Sequence, residues 1–137
     1  MRYRKGFVSN SSSSSFIVIE GPIDVPMLQD DVLFIPQTFG GTEDFGWEIE
    51  YHTDIGSRIN FACLQAESMD ENYEKMLENV LKEYFDISEI EYNLDGYIDH
   101  QSAACENENI EMFESEETLA TFIFGVNSLI HTDNDNH

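Results

Sequence analysis

The segment GFVSNSSSSSFIVI, residues 6–19, joins a run of five serines directly to an unbroken apolar run. A serine run is usually typical of a flexible linker, but the apolar residues on both sides predict that its ends are anchored. Residues 16–19 are β-branched or aromatic without alternation, a pattern that indicates a strand buried on both faces. We therefore predict a structured serine loop that leads into a central strand, which ends at Gly21-Pro22.

Three further segments carry strand patterns. Val32–Ile35 is a second apolar run, closed by Pro36. Residues 47–51 and residues 90–94 alternate apolar with polar side chains, which is typical of half-exposed strands. Asp95-Gly96 then predicts a turn. Together these segments predict a small, mainly antiparallel sheet.

One helix is predicted over residues 69–85. Apolar residues recur there at the three- and four-residue spacing of a helix that buries one face, namely Tyr73, Met76, Leu77, Val80, Leu81 and Tyr84. Ser68 and Glu71 have the spacing of a capping box in front of this helix. Its outer face is nearly all acidic.

Two shorter segments also predict helices. Residues 55–66 fit a helical stripe with Asp54 as its cap, although some of their apolar residues also alternate as in a strand; we favour the helix. Ser115 begins the last helix, which has acids in its first turn, and Gly125 ends it.

The chain of 137 residues fits one domain and can bury a core without metals or disulfides. We predict a single α+β domain over residues 1–137, in which the sheet packs against two or three helices. Residues 1–5 form a basic N-terminal tip, and residues 132–137 are a candidate flexible tail. Cys63 and Cys105 form no CxxC pair, so a reducing compartment is the simplest prediction.

Membrane and cofactor signals are missing from the sequence. No apolar run approaches the ~18 residues of a membrane span, and the N-terminus lacks the apolar core of a signal peptide. We therefore predict a cytoplasmic protein without membrane contact. The chain has no Gly-rich phosphate loop, HExxH or GxSxG motif, so we predict no cofactor and no metal and lean away from an enzyme.

Charge is the strongest global signal, because 28 acidic residues stand against 6 lysines and arginines and the formal net charge is -22. Three of the six basic residues lie within the first five positions, which leaves Arg58, Lys75 and Lys82 for the rest of the chain. A field of this sign repels nucleic acid and attracts basic surfaces, so we predict no direct nucleic-acid binding. Solubility or adaptation to high salt explains the charge alone equally well.

Residues 6–16, GFVSNSSSSSF, resemble the opening of a group of small, mostly uncharacterised proteins from bacteriophages and bacterial mobile elements. Members of this group also carry a segment similar to DGYIDHQS, here residues 95–102, and a C-terminal stretch similar to residues 122–136. The resemblance implies a phage-type origin rather than a particular mechanism.

The same three islands supply the candidate ligand site. Serine hydroxyls and backbone N–H groups can cradle an anion, and Asp and His are general acid, base and metal-ligand types. The candidates are Ser11, Ser12, Ser13, Ser14, Asp99, His100, Asp133 and Asn134, of which Asp99 and His100 are the catalytic candidates. Their spacing matches no established metal loop, so we favour a structural role. A small enzyme or a ligand- or nucleotide-sequestering protein is the alternative.

The leading functional hypothesis uses the acidic residues. A carboxylate-rich face can occupy a basic groove meant for nucleic acid, although a solvated face is the simpler explanation for any single helix. The predicted partner-binding residues are Asp70, Glu71, Glu74, Glu78, Glu83, Glu111, Glu114, Glu116 and Glu117. With the phage resemblance, they predict an inhibitor of a host nucleic-acid-processing protein or ribonucleoprotein, of the anti-CRISPR or anti-restriction type, in the cytoplasm of an infected bacterium. A virion component is a further alternative.

Overall fold

The structure is a computed structural model that describes residues 2–4, 13–45, 50–98 and 109–134. In these ranges the strands form one four-stranded sheet and two two-stranded sheets, and helices pack against them, which confirms the predicted α+β class. In chain order the elements are β1 (Arg2–Arg4), β2 (Ser13–Glu20), β3 (Val32–Ile35), β4 (Asp44–Phe45), β5 (Glu50–His52), α1 (Ile55–Met69), α2 (Glu71–Phe85), β6 (Glu89–Tyr92), β7 (Tyr97–Ile98), a 3₁₀ helix (Asn109–Glu114), α3 (Glu116–Phe124) and β8 (Leu129–Asn134).

β2 is an inner strand of the four-stranded antiparallel sheet, whose strand order is β1-β2-β8-β5. Ile17 and Ile19 of β2 are buried, as its continuous apolar pattern predicts. The strand begins at Ser13, earlier than the predicted residue 16, because the serines pair with β8. Residues 13–15 are therefore strand and not loop. The same pairing takes residues 132–134 of the candidate tail into β8.

Two short sheets are parallel. β3 runs parallel to β6 with Val32 opposite Glu89, and β4 runs parallel to β7. Parallel neighbours need a long crossover, and the chain between β3 and β6 includes both α1 and α2. The Ser88 N–H donates to Asp31 Oδ1 at 3.0 Å, which anchors the start of β6 beside β3.

A single residue, Asp70, separates α1 from α2. Its backbone N–H closes the last turn of α1, and its carboxylate accepts from the Asn72 N–H at the start of α2 at 2.8 Å. The predicted capping box of Ser68 and Glu71 is therefore wrong. α1 continues through Ser68, whose hydroxyl donates to the Gln65 carbonyl within the same helix.

The predicted starts of the other helices are confirmed, whereas α1 ends at Met69 and not at the predicted residue 66. Asp54 caps α1, because its Oδ2 accepts from the Ser57 N–H at 2.9 Å, and the ambiguous residues 55–66 are helical. Ser115 caps α3 through the Thr118 N–H at 3.0 Å. Gly125 ends α3 as predicted.

The apolar face of α2 packs on α1 and α3 in the core. Aromatic pairs fix both of its ends: Tyr73 stacks on Phe113 of the 3₁₀ helix with ring centroids 4.5 Å apart, and Tyr84 stacks on Phe124 of α3 at 5.5 Å. Such pairs are worth about 0.5–1.5 kcal/mol beyond their buried area. The fully buried α2 residues match the predicted helical stripe: Leu77, Val80 and Leu81.

Buried polar residues at the start of α1 bind the neighbouring loop. Asn60 Nδ2 donates to the carbonyls of Gly40 at 3.0 Å and Thr42 at 2.9 Å, and the Thr42 N–H donates to Ser57 Oγ at 2.9 Å. The backbones approach so closely that a Cβ on Gly56 would lie 2.5 Å from the Gly40 oxygen. A glycine is therefore required at this contact.

Arg58 extends these contacts to the end of α3. Its side chain is 7% exposed and donates from Nη1 to the Gly125 carbonyl. Burial lowers the pKa of the guanidinium, and the nearby Asp54 carboxylate acts in the opposite direction. We call Asp54, Ser57, Arg58 and Asn60 the polar network.

Candidate functional site: an acidic cleft

A cleft of about 550 Å³ lies between the second half of α1, the first half of α2 and the end of β6. This volume falls within the range of ordinary ligand pockets, ~300–1,000 Å³. We call it the acidic cleft, and its lining residues are Cys63, Glu67, Glu71, Glu74, Lys75, Leu77, Glu78, Tyr92 and Leu94.

The path of the chain explains why these residues meet. Glu67 in α1 and Glu71 in α2 are neighbours because Asp70 joins the two helices without a longer loop. After α2, Asp86 adopts the left-handed conformation with φ 57° and reverses the chain. β6 then runs back along α2, so that Tyr92 reaches the first half of that helix.

The carboxylates of α2 form one wall of the cleft. Glu71, Glu74 and Glu78 follow one another at spacings of three and four residues, which keeps them on one side of the helix. Like charges at this spacing repel each other by a few tenths of a kcal/mol per pair. Lys82 Nζ offsets part of this repulsion by pairing with Glu78 Oε2 at 3.3 Å. The fold therefore maintains a wall of mutually repelling charges.

Burial, together with the nearby carboxylates, raises the pKa values of two groups in the cleft. Burial raises the pKa of the Cys63 thiol, and Glu67 and Glu74 raise it further. Partial burial also raises the pKa of Tyr92, with further contributions from Cys63, Glu78 and Glu74. Because a thiol with a raised pKa stays protonated near neutral pH, Cys63 is not an activated nucleophile.

The predicted partner-binding residues divide into separate groups. Glu71, Glu74 and Glu78 line the cleft, and Asp70 caps the helix that carries them. Glu83 follows Glu78 by five residues and so points about 140° away around the axis of α2. The other predicted acids lie on the 3₁₀ helix and at the start of α3, namely Glu111, Glu114, Glu116 and Glu117.

The acidic residues of the 3₁₀ helix and α3 lie apart from the acidic cleft. Glu116 and Glu117 occupy the first turn of α3, where the helix dipole favours negative charge. The 3₁₀ helix contacts α2 at Tyr73, whereas the cleft is lined by other α2 residues. Of all the predicted partner-binding acids, Glu78 and Glu111 are half-buried and the others are exposed.

The candidate ligand residues are brought together in part. Ser13 of β2 lies opposite Asn134 of β8, and Ser14 lies opposite Asp133, so strand pairing joins two of the three islands. Ser11, Ser12, Asp99 and His100 lie outside the described residues. β7, which directly precedes Asp99 in the chain, pairs with β4.

Sequence reasoning missed several residues of the acidic cleft. Cys63 and Glu67 are four residues apart on α1, so their shared helix face was visible in the sequence. Tyr92 and Leu94 were predicted as part of an alternating strand, but nothing in that pattern connects the strand to α2. Their place in the cleft follows from the chain reversal at Asp86.

No protein-family model matches the chain, and no curated protein and no solved structure shows significant similarity to it. Within the described ranges, no cluster of three or more His, Cys, Asp or Glu residues is arranged to hold a metal ion. The same ranges contain no helix with the length and apolar character of a membrane span.

Proposed function

We propose that this protein is a non-enzymatic inhibitor of the phage type, which binds a basic surface of a host nucleic-acid-processing complex of the CRISPR or restriction class. The observation that carries the proposal is the nearly uncompensated negative surface. After residue 5 the basic residues are Arg58, Lys75 and Lys82, and Arg58 is buried in the polar network. From residue 6 onward, two lysines thus remain to neutralise the exposed carboxylates.

The proposed mechanism of binding is electrostatic mimicry of nucleic acid. Duplex DNA carries one negative charge per ~1.7 Å of its axis, and enzymes that process it provide lysines and arginines along a groove. Carboxylates fixed on helices can engage the same cations. The resemblance of residues 6–16 to phage proteins supports the choice of a bacterial host enzyme as the partner.

The test is affinity capture from bacterial lysate, followed by identification of the captured proteins and assay of their nuclease activity. We expect capture of a nucleic-acid-processing complex, inhibition of its cleavage, and loss of capture between about 50 mM and about 200 mM salt. Glu74→Lys and Glu78→Lys combined with Glu116→Gln and Glu117→Gln should abolish capture. Neutralisation at Glu116 and Glu117 spares α3 the repulsion that a lysine would meet in its first turn.

The control for this experiment is a variant that keeps all six lysines and arginines and loses three acidic residues elsewhere on the surface. Asp24→Asn with Asp30→Asn and Glu50→Gln removes three exposed charges outside the predicted partner-binding residues. This variant should capture the same complex at low salt. Capture by the four-site variant, or wild-type capture that does not weaken between about 50 mM and about 200 mM salt, would rule out mimicry.

A second candidate function is supported by the pairing of Ser13 with Asn134 and of Ser14 with Asp133. Joined segments that carry serine, aspartate and asparagine offer polar groups for a small ligand or a nucleotide, with Asp99 and His100 as the further candidates. A metal or nucleotide that copurifies with the wild-type protein and is lost in His100→Ala would favour this function over inhibition.

A further inference from the structure

We propose that the acidic cleft is the docking site for a basic segment of the partner, with one arginine or lysine side chain laid over Tyr92 and its charged head beside Glu71, Glu74 and Glu78. This inference rests on the proposed function and names the place where the partner's cation binds. It commits to a protein segment as the occupant.

The shape of the cleft suits a long cationic side chain. Apolar surface lies next to the carboxylate wall, because the lining includes Tyr92, which is 51% exposed, and the half-buried Leu94. Arginine and lysine have apolar stems and charged heads, and they bury the stem along apolar surface while the head stays polar. A guanidinium within about 6 Å of a tyrosine ring is also attracted to its face.

The charge of the cleft is complementary to such a side chain. Four glutamates line it against one lysine, Lys75. Glu74 lies between Glu71 and Glu78 on the same side of α2, and all three line the cleft. An incoming cation beside Glu74 would relieve the repulsion among the neighbouring glutamates.

A second copy of the chain is a poor occupant. The formal net charge is -22, so two copies repel each other at any acidic surface. The basic residues Arg2 and Arg4 belong to β1, where their backbones pair with Glu20 and Val18 of β2. A basic partner protein fits the charge of the cleft better than this chain does.

The test uses fluorescein-labelled hexa-arginine as the probe and hexa-citrulline as its neutral analogue of the same shape, with fluorescence anisotropy as the readout. At about 0.1 M salt the screening length is ~10 Å, so distant charges contribute little. Glu71→Gln with Glu74→Gln and Glu78→Gln should weaken hexa-arginine binding at least about tenfold. The matched control, Asp24→Asn with Asp30→Asn and Glu50→Gln, removes the same number of exposed charges away from the cleft lining and should weaken it less than about twofold.

The contact of the cation with the Tyr92 ring is tested with two substitutions at that position. Tyr92→Phe keeps the ring and should bind hexa-arginine like the wild-type protein, whereas Tyr92→Leu should lose about three- to tenfold. Equal losses in the cleft and control triples, or equal affinities for hexa-arginine and hexa-citrulline, would overturn the docking site. Concentration-dependent dimerisation that competes with hexa-arginine would overturn it in favour of a second copy.

These outcomes are separate from the fate of the proposed function. Loss of the cleft preference, with salt-sensitive capture of a nuclease retained, means that another acidic surface binds the partner. A cleft that binds hexa-arginine as expected, with no nuclease captured or inhibited, supports the docking site and removes the proposed inhibitor role.

Discussion

Polar side chains are bonded inside the fold in the polar network at the start of α1, whereas they line an open surface in the acidic cleft at its end. In the network, Asn60 and Arg58 donate hydrogen bonds to backbone carbonyls inside the fold. In the cleft, three carboxylates of α2 share one side of the helix and face open space. The contrast separates polar residues that stabilise the fold from polar residues that are available to a partner.

This comparison gives each region a different experimental signature. Substitutions in the polar network should lower the free energy of unfolding and leave the affinity of the folded protein for hexa-arginine unchanged. Substitutions in the cleft should change affinity with little effect on stability, because the lost carboxylates repel one another.

Arg58→Met should have the largest effect on stability. It removes the charged donor to the buried Gly125 carbonyl, which also accepts from the Ser128 N–H, and hydrogen bonds to charged groups contribute about 1.5–3 kcal/mol. We expect the free energy of unfolding in urea to fall by about 2–3 kcal/mol. Lys75→Met removes an exposed charge and should stay within about 0.5 kcal/mol of the wild-type value. Equal stability of the two variants would show that the network has no special role.

Gly56→Ala should be the next largest. The added Cβ would lie 2.5 Å from the Gly40 oxygen and 2.8 Å from its carbonyl carbon. Overpacking costs about 1–3 kcal/mol, which exceeds the helix-propensity gain of up to about 1 kcal/mol. Urea unfolding should therefore show a net loss. Gly40→Asn is the control, because its Cβ meets nothing within 4 Å and asparagine tolerates positive φ; a stabilised Gly56→Ala would refute the close contact.

The pH dependence of stability tests whether the cleft encloses Cys63. Its pKa is raised above the ordinary value of 9.0, so the folded state holds the thiol proton longer than the unfolded state does. This contribution is complete below the unfolded pKa and is lost as the pH rises above ~9, by at most about 1.4 kcal/mol per pH unit. Urea unfolding between pH 8 and 10 should show a steeper decline for the wild-type protein than for Cys63→Ala. Parallel declines would mean that the thiol is not enclosed.

Lys82→Gln should give the smallest change. An i,i+4 ion pair that is partly exposed is worth about 0.3–0.5 kcal/mol, so stability should hardly move. The substitution frees the Glu78 carboxylate, and hexa-arginine should bind about twofold more tightly. Lys82→Arg keeps the pair and should match the wild-type affinity. Weaker binding by Lys82→Gln would contradict a role for Glu78 in the cleft.

Local patterns predicted the elements whose cause is local. The stripe from Tyr73 to Tyr84 identified α2, and Asp54 and Ser115 identified helix starts, because periodicity and capping act over a few residues. The capping pattern gave a wrong prediction at Ser68, because a serine three residues before a glutamate can also occur in the interior of a helix, where it caps nothing. Asp70 caps α2 because its carboxylate reaches the Asn72 N–H there.

Features that depend on distant parts of the chain were not predictable. The parallel pairing of β3 with β6 joins residues that are far apart in sequence, and no period within either strand encodes it. The start of β2 at Ser13 depends on the register with β8. The acidic cleft was likewise beyond reach, because Glu67, Glu74 and Tyr92 come from three elements that meet only after folding.

Because Asp70 alone joins α1 to α2, the length of the junction fixes how α2 is rotated about its own axis. Inserting one residue after Asp70 would turn α2 by about 100° around its axis. The apolar residues around Leu77 and the carboxylates around Glu74 would then leave the core and the cleft together. Substitutions can therefore vary the chemistry of the cleft one side chain at a time, but a change in the length of the junction would remove the hydrophobic contact and the acidic wall in a single event.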